Sequence, residues 1–426
     1  MSSIYKALYQ LLIRIAAVVM FVVTALRGLR DPAYRDRLPE RFGFTRLRFA
    51  QSPIWIHAAS VGEVQAAIPL IRRLLENFDR RPVLVTTTTP TGAARIKAVF
   101  AGKVQHAFLP YDTPGAVRRF LHRVQPHCLI IMETELWPDL LDACIATHVP
   151  VVLGSARISS RTANRYRYLR ALFAPLLPRV SVGAQTTEDV QRYAMLGADP
   201  ARMQVIGNIK YDVEISPDIL AAGHEIRNGL LSRPVWIAGS THAGEEEQIL
   251  QAHSVVLSKR PETLLILVPR HPQRFAEVAA LLMARKFNFV SRSTRQLPAA
   301  QHSVWLVDTV GELQCFYTAS DVAFVGGSLV PVGGHNLLEP AALSLPVITG
   351  PHVFNAPDVA RLLCERSALL QVSSGLELGE RVTQLLASPD ERTRMGLAAL
   401  EVVQRNRGAL SRLLVLIQQE CRIKLG

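Results

Sequence analysis

The sequence predicts an α/β protein of two doubly wound domains, and three observations lead there. After about residue 50, short apolar runs rich in Val and Ile alternate with stretches of helical spacing along almost the whole chain. Several of these runs are apolar at every position, as parallel strands covered on both faces should be. The 426 residues also exceed what a domain of roughly 100–200 residues needs, so two domains fit better than one.

Composition narrows the class. With 49% hydrophobic, 19% charged and 7% aromatic residues, the chain is globular and slightly apolar, which excludes disorder. Long apolar runs are too few for a multi-span membrane protein. Lys and Arg number 48 against 35 acidic residues, a net +13, and 41 of those cations are arginine. Arginine suits bidentate contact with phosphate and carboxylate, so nucleic acid, anionic lipid and phosphorylated sugar are all candidate partners. A solvated Arg-rich surface is the plain alternative. The five cysteines, Cys128, Cys144, Cys315, Cys364 and Cys421, form no CxxC pair, which reads as reduced thiols without a zinc site.

The first element is an apolar helix. Residues 7–26 run ALYQLLIRIAAVVMFVVTAL, interrupted by Gln10, Arg14 and Thr24. About twenty apolar residues cross a bilayer, and Arg14 sits near one end, where it can snorkel. No small-residue cleavage site follows; RGLRDPAYRDRLPERFGF does, with arginines at 27, 30, 35, 37 and 41. We therefore expect an anchor over residues 1–30, with the positive-inside bias keeping the rest of the chain cytoplasmic. A buried amphipathic helix is the alternative, and spanning and surface-lying orientations both stay open.

Strands are expected at 54–60, 83–89, 104–110, 128–134, 151–156, 180–186 and 203–208, then at 235–241, 264–270, 287–291, 304–309, 321–327 and 346–350. The stretch 208–223 lacks periodic apolar residues and is placed as the link. The expected domains are thus 31–210 and 211–426, the second ending in a helical tail. In such folds ligands sit beyond the carboxyl ends of the strands. No GxGxxG, GxxxxGK[ST] or DxD occurs, so dinucleotide redox chemistry, P-loop phosphoryl transfer and a metal clamp on a sugar diphosphate all lack their usual cradle.

The chemistry-bearing residues lie at those strand ends. HAASVGE (57–63) turns from the first strand into a helix and delivers Glu63, a candidate general base; an acidic first-turn residue stabilising the helix dipole is the alternative. METELWP (132–138) places Glu133 and Glu135 two apart, which alternation would send to one side, aimed at a cleft or paired with arginine. GNIKYD (207–212) contributes Lys210, able to hold a phosphate or offset a developing charge. In the second half, Ser240, Thr241 and Gly244 of GSTHAGEEE are expected to cap a helix whose free amides form an anion site. PRHPQR offers Arg270 and His271 as a phosphate grip, and DTVGEL offers Gly311 and Glu312. In FVGGSLVPVGGHNLLEPAA, Asn336 and Glu339 would share a helical face, the glutamate accepting from a ribose diol while Gly-rich amides bind phosphate. His57, His242, His271 and His335 sit on separate turns, and no metal site is expected. Together these turns indicate a nucleotide or nucleotide-sugar pocket.

The ordered series HAASVGE, TTTTPTGA, LPYD, METELWP, SARISSR, GNIKYD, GSTHAGEE, LVPRHPQR, DTVGEL and FVGGSLVPVGGHNLLEPA resembles the 3-deoxy-D-manno-octulosonic acid (Kdo) transferases, glycosyltransferases of the lipopolysaccharide inner core. The likeness runs from the anchor to about residue 360. It implies a GT-B fold with two domains facing across a cleft, CMP-Kdo as donor, a lipid A precursor (lipid IVA) as acceptor, and inverting transfer without metal or cofactor. It implies a place on the cytoplasmic face of the inner membrane, an anionic lipid surface as partner, and no nucleic acid. Glu63 matches the family's proposed base, and Glu133 and Lys210 match positions assigned to transition-state support. Pro269 with Arg270, the turn Val310, Gly311 and Glu312, and the run Asn336, Leu337, Leu338 and Glu339 match its CMP-binding segments. Two alternatives remain: a GT-B transferase or epimerase using a UDP-sugar, and a non-catalytic protein binding nucleic acid or anionic membrane.

Overall fold

A computed structural model describes residues 2–77 and 81–423. The chain divides into two compact units, one of Met1–Asp212 with Arg407–Gly426 and one of Val213–Asn406.

The first unit holds strands β1 (Ile54–His57), β2 (Val83–Thr87), β3 (Gln105–Phe108), β4 (Cys128–Met132), β5 (Val151–Ala156), β6 (Val180–Ala184) and β7 (Met203–Val205). They form one parallel sheet in the order β3-β2-β1-β4-β5-β6-β7. The second holds β8 (Val235–Thr241), β9 (Leu264–Pro269), β10 (Phe289–Ser291), β11 (Val304–Leu306), β12 (Val322–Val325), β13 (Val347–Thr349) and β14 (Leu369–Gln371). Its parallel order is β10-β11-β9-β8-β12-β13-β14. Every run expected as a strand contains one. The unforeseen β14 is a three-residue edge strand whose Gln371 is exposed, too short for a periodic signal.

Each sheet is covered on both faces, which is why its strands are apolar throughout. Along β1, Ile54 and Ile56 enter one core with the helix Val61–Asn77, while Trp55 enters the other and meets Phe120 with ring centroids 4.9 Å apart. Along β8, Trp236 and Ala238 point to one face and Val235 and Ile237 to the other.

The domain boundaries differ from expectation at both ends of the second unit. The helix Pro217–Gly229, capped by Ser216, already belongs to it, so the link is shorter than 208–223. The tail does not belong to it: the helix Ala409–Cys421 returns to the first unit. The physical reason lies in two glycines of the first sheet. A Cβ on Gly154 would stand 3.2 Å from Leu413, and one on Gly183 would stand 3.1 Å from Leu416. Bare backbone there admits both leucines to the core, and burying each stabilises by roughly 1.5–3 kcal/mol. Asp212 fastens the crossing by accepting the Gly408 and Leu410 amides at 2.6 and 2.7 Å. The apolar helix, Ser2–Arg30, is likewise part of the first unit.

Candidate active site

The strand order of each sheet reverses once, between β1 and β4 in the first unit and between β8 and β12 in the second. Those switch points are where doubly wound sheets hold ligands, and the residues singled out above lie on turns that follow those strands or their neighbours, with Lys210 brought in from beyond the edge strand β7.

In the first unit, β1 ends at His57 and the chain turns through Ala58, Ala59 and Ser60 into its helix. Ser60 and Glu63 form a reciprocal cap: the Ser60 hydroxyl accepts the Glu63 amide at 3.3 Å, and Glu63 accepts the Ala59 amide at 2.6 Å. Glu63 is therefore a capping residue, as its dipole reading anticipated, and something more. Burial, with the nearby Glu133 and Glu135 carboxylates adding to it, pushes its pKa up to about 7, against the pull of the Ala59 amide. A carboxyl poised at neutrality is suited to proton transfer.

Its neighbours sit where β4 ends. The strand stops at Met132, and Glu133 adopts a left-handed conformation, φ 57°, uncommon for a residue with a side chain. Alternation thus does not govern the two glutamates. Glu133 pairs with Lys210 at 2.7 Å rather than with arginine. Glu135 accepts the Trp137 indole N–H at 2.6 Å. His57 is buried, its Nδ1 3.0 Å from the Thr86 hydroxyl and its Nε2 3.9 Å from Glu135. Lys210 lies in the short turn Ile209–Tyr211, fixed by the Asn208 side chain, which accepts its amide at 2.9 Å. Glu133 and Glu135 from one turn and Lys210 from another, far apart in sequence, thus join Glu63 in one cluster.

In the second unit, the site residues line the carboxyl ends of four adjacent strands, β11, β9, β8 and β12. Ser240 and Thr241 do not cap the following helix, Glu246–Lys259. Ser240 is buried in a left-handed conformation, φ 60°, and the Thr241 hydroxyl donates to Glu246 at 2.9 Å. Glu246 is fully buried and also accepts Arg274 at 2.6 and 3.2 Å. Glu245, equally buried, accepts the amides of Gly327, Ser328 and Leu329 at 2.7, 3.0 and 2.9 Å, and that of His242 at 3.2 Å. Burial pushes its pKa up while those four amides oppose the shift. Amides expected to cradle phosphate in this glycine-rich loop are therefore occupied by the protein's own carboxylate.

The side chains beside that loop engage one another. Three of the four histidines converge: His242 and His335 stack with centroids 5.0 Å apart and Nε2 atoms 2.8 Å apart, and His271 meets His242 edge-on at 5.2 Å. Burial first, then Arg270 and the neighbouring rings, lowers the His335 pKa to about 3; burial with His271 and Arg270 also lowers that of His242. Both shifts favour the neutral imidazoles, and in such a pair one Nε2–H can donate to the other ring's Nε2. Among the described residues, no three His, Cys, Asp or Glu side chains are grouped to hold a metal ion. Arg270 and His271 are exposed, and Pro269 is buried beneath them. Val310 and Gly311 form an exposed tip. Glu312 is held by Arg292 at 2.8 Å, and that bond, with Thr309, lowers its pKa. Asn336 bonds Glu339 at 3.1 Å and accepts the Leu338 amide at 3.1 Å, with Leu337 and Leu338 buried as its apolar footing. Sequence reasoning missed Glu245, Arg274 and Arg292, whose partners lie up to 84 residues away.

Two parallel seven-stranded sheets, each with helices and one switch point, are the fold of the GT-B class. The structure is similar to that of UDP-GlcNAc 2-epimerase from Neisseria meningitidis bound to UDP-GlcNAc, with TM-score 0.55 and 14% identity over 87% of this chain and 100% of that one. It is similar also to a glycosyltransferase from Rickettsia africae ESF-5, with TM-score 0.52 and 14% identity over 87% and 99%. Both likenesses speak for the fold alone. Residues 36–213 match the family described as 3-deoxy-D-manno-octulosonic-acid transferase (kdotransferase). The 3-deoxy-D-manno-octulosonic acid transferase of Haemophilus influenzae is 44% identical over 97% of this chain and 98% of its own. The chain belongs to the Kdo transferase family and is a glycosyltransferase.

Proposed function

We propose that this enzyme moves Kdo from CMP-Kdo to a lipid A precursor (lipid IVA), inverting the anomeric carbon and using no metal, at the cytoplasmic face of the inner membrane. The observation that supports this best is Glu63, a partly buried carboxyl with its pKa near 7. As the acceptor hydroxyl attacks the anomeric carbon, Glu63 takes its proton, and the bond from that carbon to the phosphate oxygen breaks with its electron pair leaving on CMP. The sugar passes through an oxocarbenium-like state, and a base placed to act in that step contributes roughly 10²–10⁴ in rate. Glu133, paired with Lys210, acts beside it, the lysine offsetting a second negative charge and so keeping Glu63 ionisable.

For donor binding we assign Ser240, Thr241, Pro269, Arg270, His271, Val310, Gly311, Glu312, Asn336, Leu337, Leu338 and Glu339, all on the carboxyl edge of one sheet. CMP leaves with one phosphate rather than two, a charge that Arg270 and neutral imidazole N–H groups are suited to bear. Incubating the full chain with labelled CMP-Kdo or UDP-sugars, lipid IVA and EDTA tests the reading. Label should pass from CMP-Kdo alone, undiminished by EDTA, and NMR of the product should show inverted configuration. Transfer only from a UDP-sugar, loss of activity with EDTA, or retained configuration would each refute the corresponding part.

A further inference from the structure

The helix Ser2–Arg30 lies along its unit rather than standing away from it. One stripe, at spacings of three and four residues, faces the protein. Lys6 donates to Asp142, Tyr9 to Asp112 and Gln10 to Asp139, each at 2.7 Å. Ile13 and Ala17 are buried, and Phe21 meets Phe42 edge-on at 5.6 Å. From Lys6 to Phe21 the docked length is about 22 Å at 1.5 Å per residue. The receiving face is polar and built: Asp112 is buried and also accepts the Asp139 and Leu140 amides at 2.9 and 2.8 Å. Were this helix to cross a bilayer as docked, those acids, amides and the loops beside them would be drawn into hydrocarbon, where irregular polar backbone is not tolerated against lipid.

The opposite stripe is apolar and exposed: Ile4, Leu8, Leu11, Ile15, Val22 and Leu26 repeat at three, four and seven residues. Cations border it. Arg14, Arg118 and Arg119 line an open cavity of about 450 Å³ between this helix and the helix Pro114–Val124, floored by Phe21 and Phe42. Arg27 and Arg30 close the helix's end. An apolar stripe flanked by arginine is complementary to an anionic lipid surface, with the stripe in the acyl boundary and the guanidinium groups at the phosphates.

We propose that this helix lies in the plane of an anionic membrane, held to its own unit by one face and entering lipid by the other, and does not span the bilayer. The inference rests on the membrane location proposed above and assigns its geometry. Positions 4, 15 and 26 are eleven residues apart and so lie on one face. The test places nitroxide labels at I4C, I15C and L26C in the full chain carrying C315S and C364S, bound to phosphatidylcholine vesicles with 30% phosphatidylglycerol as the probe, and reads depth by relaxation enhancement. Three equal, shallow depths are expected. A deep Ile15 with shallow ends would overturn the in-plane geometry while leaving the membrane location intact; three labels in water would overturn both. In parallel, the Arg14→Gln/Arg118→Gln pair should weaken binding to these vesicles roughly tenfold or more, at about 1 kcal/mol per cation, while Arg285→Gln/Lys286→Gln on the second unit should not. Equal effects of the two pairs would replace a defined docking face with diffuse charge attraction and overturn the assignment.

Discussion

At the switch point of the first sheet and at that of the second, glutamates collect beside backbone amides, yet the two units treat them in opposite ways. Between β8 and β12, Glu245 accepts four amides and Glu246 is locked to Arg274 and Thr241. Both are fully buried and bonded on each oxygen, so they fix a loop. Between β1 and β4, Glu63 accepts one close amide and a longer hydroxyl bond, partly exposed and beside two further carboxylates. The same topology thus yields two carboxylates that fix a loop in one unit and, in the other, a carboxyl with a raised pKa, the proton acceptor proposed above. What distinguishes them is how completely each carboxylate is satisfied.

The comparison can be broken most sharply at Glu63. Glu63→Gln should keep the cap and the fold but lower Kdo transfer by roughly 10³-fold, with CMP affinity unchanged by calorimetry. An undiminished rate would remove Glu63 from the chemistry. Glu245→Ala should act in the reverse manner. It orphans the Gly327, Ser328 and Leu329 amides, so denaturation should show a loss of roughly 3 kcal/mol or more, and the donor KM should rise while the pH profile keeps its shape. Lys210→Met leaves Glu133 uncompensated, and transfer near neutral pH should fall about tenfold, one pKa unit's worth of charge interaction. Ser60→Ala is the mildest, removing a helix cap for about 1 kcal/mol in thermal unfolding.

Much of this was legible in the sequence, for reasons that particular residues show. Runs such as IWIH and LLILVP read as buried strands because both faces of each sheet are covered, and alternating strands and helices dictate a parallel order. The site clustered because polar tails follow those runs at their carboxyl ends. Bonds across long sequence separations were not legible. Nothing near Glu245 announces that the amides at 327–329 will reach it, and His242, His271 and His335 look unrelated until β8, β9 and β12 are set side by side. The tail read as part of the second domain because its amphipathic pattern fits any apolar surface; only Gly154 and Gly183, scattered in other strands, mark where Leu413 and Leu416 enter.

The central claim is that the first unit holds a carboxylate whose proton affinity is set for the reaction. Its folded pKa lies near 7, above its ordinary value. The stability it contributes is therefore full at acid pH and declines as pH rises through 7, while the basic form needed for transfer appears over that same range. Measuring kcat/KM for Kdo transfer against pH, in the natural chain and in Lys210→Met, tests this directly. The rate should climb through an inflection near pH 7, and the inflection should move to higher pH in the variant; a flat profile, or one that the loss of Lys210 leaves in place, would contradict it.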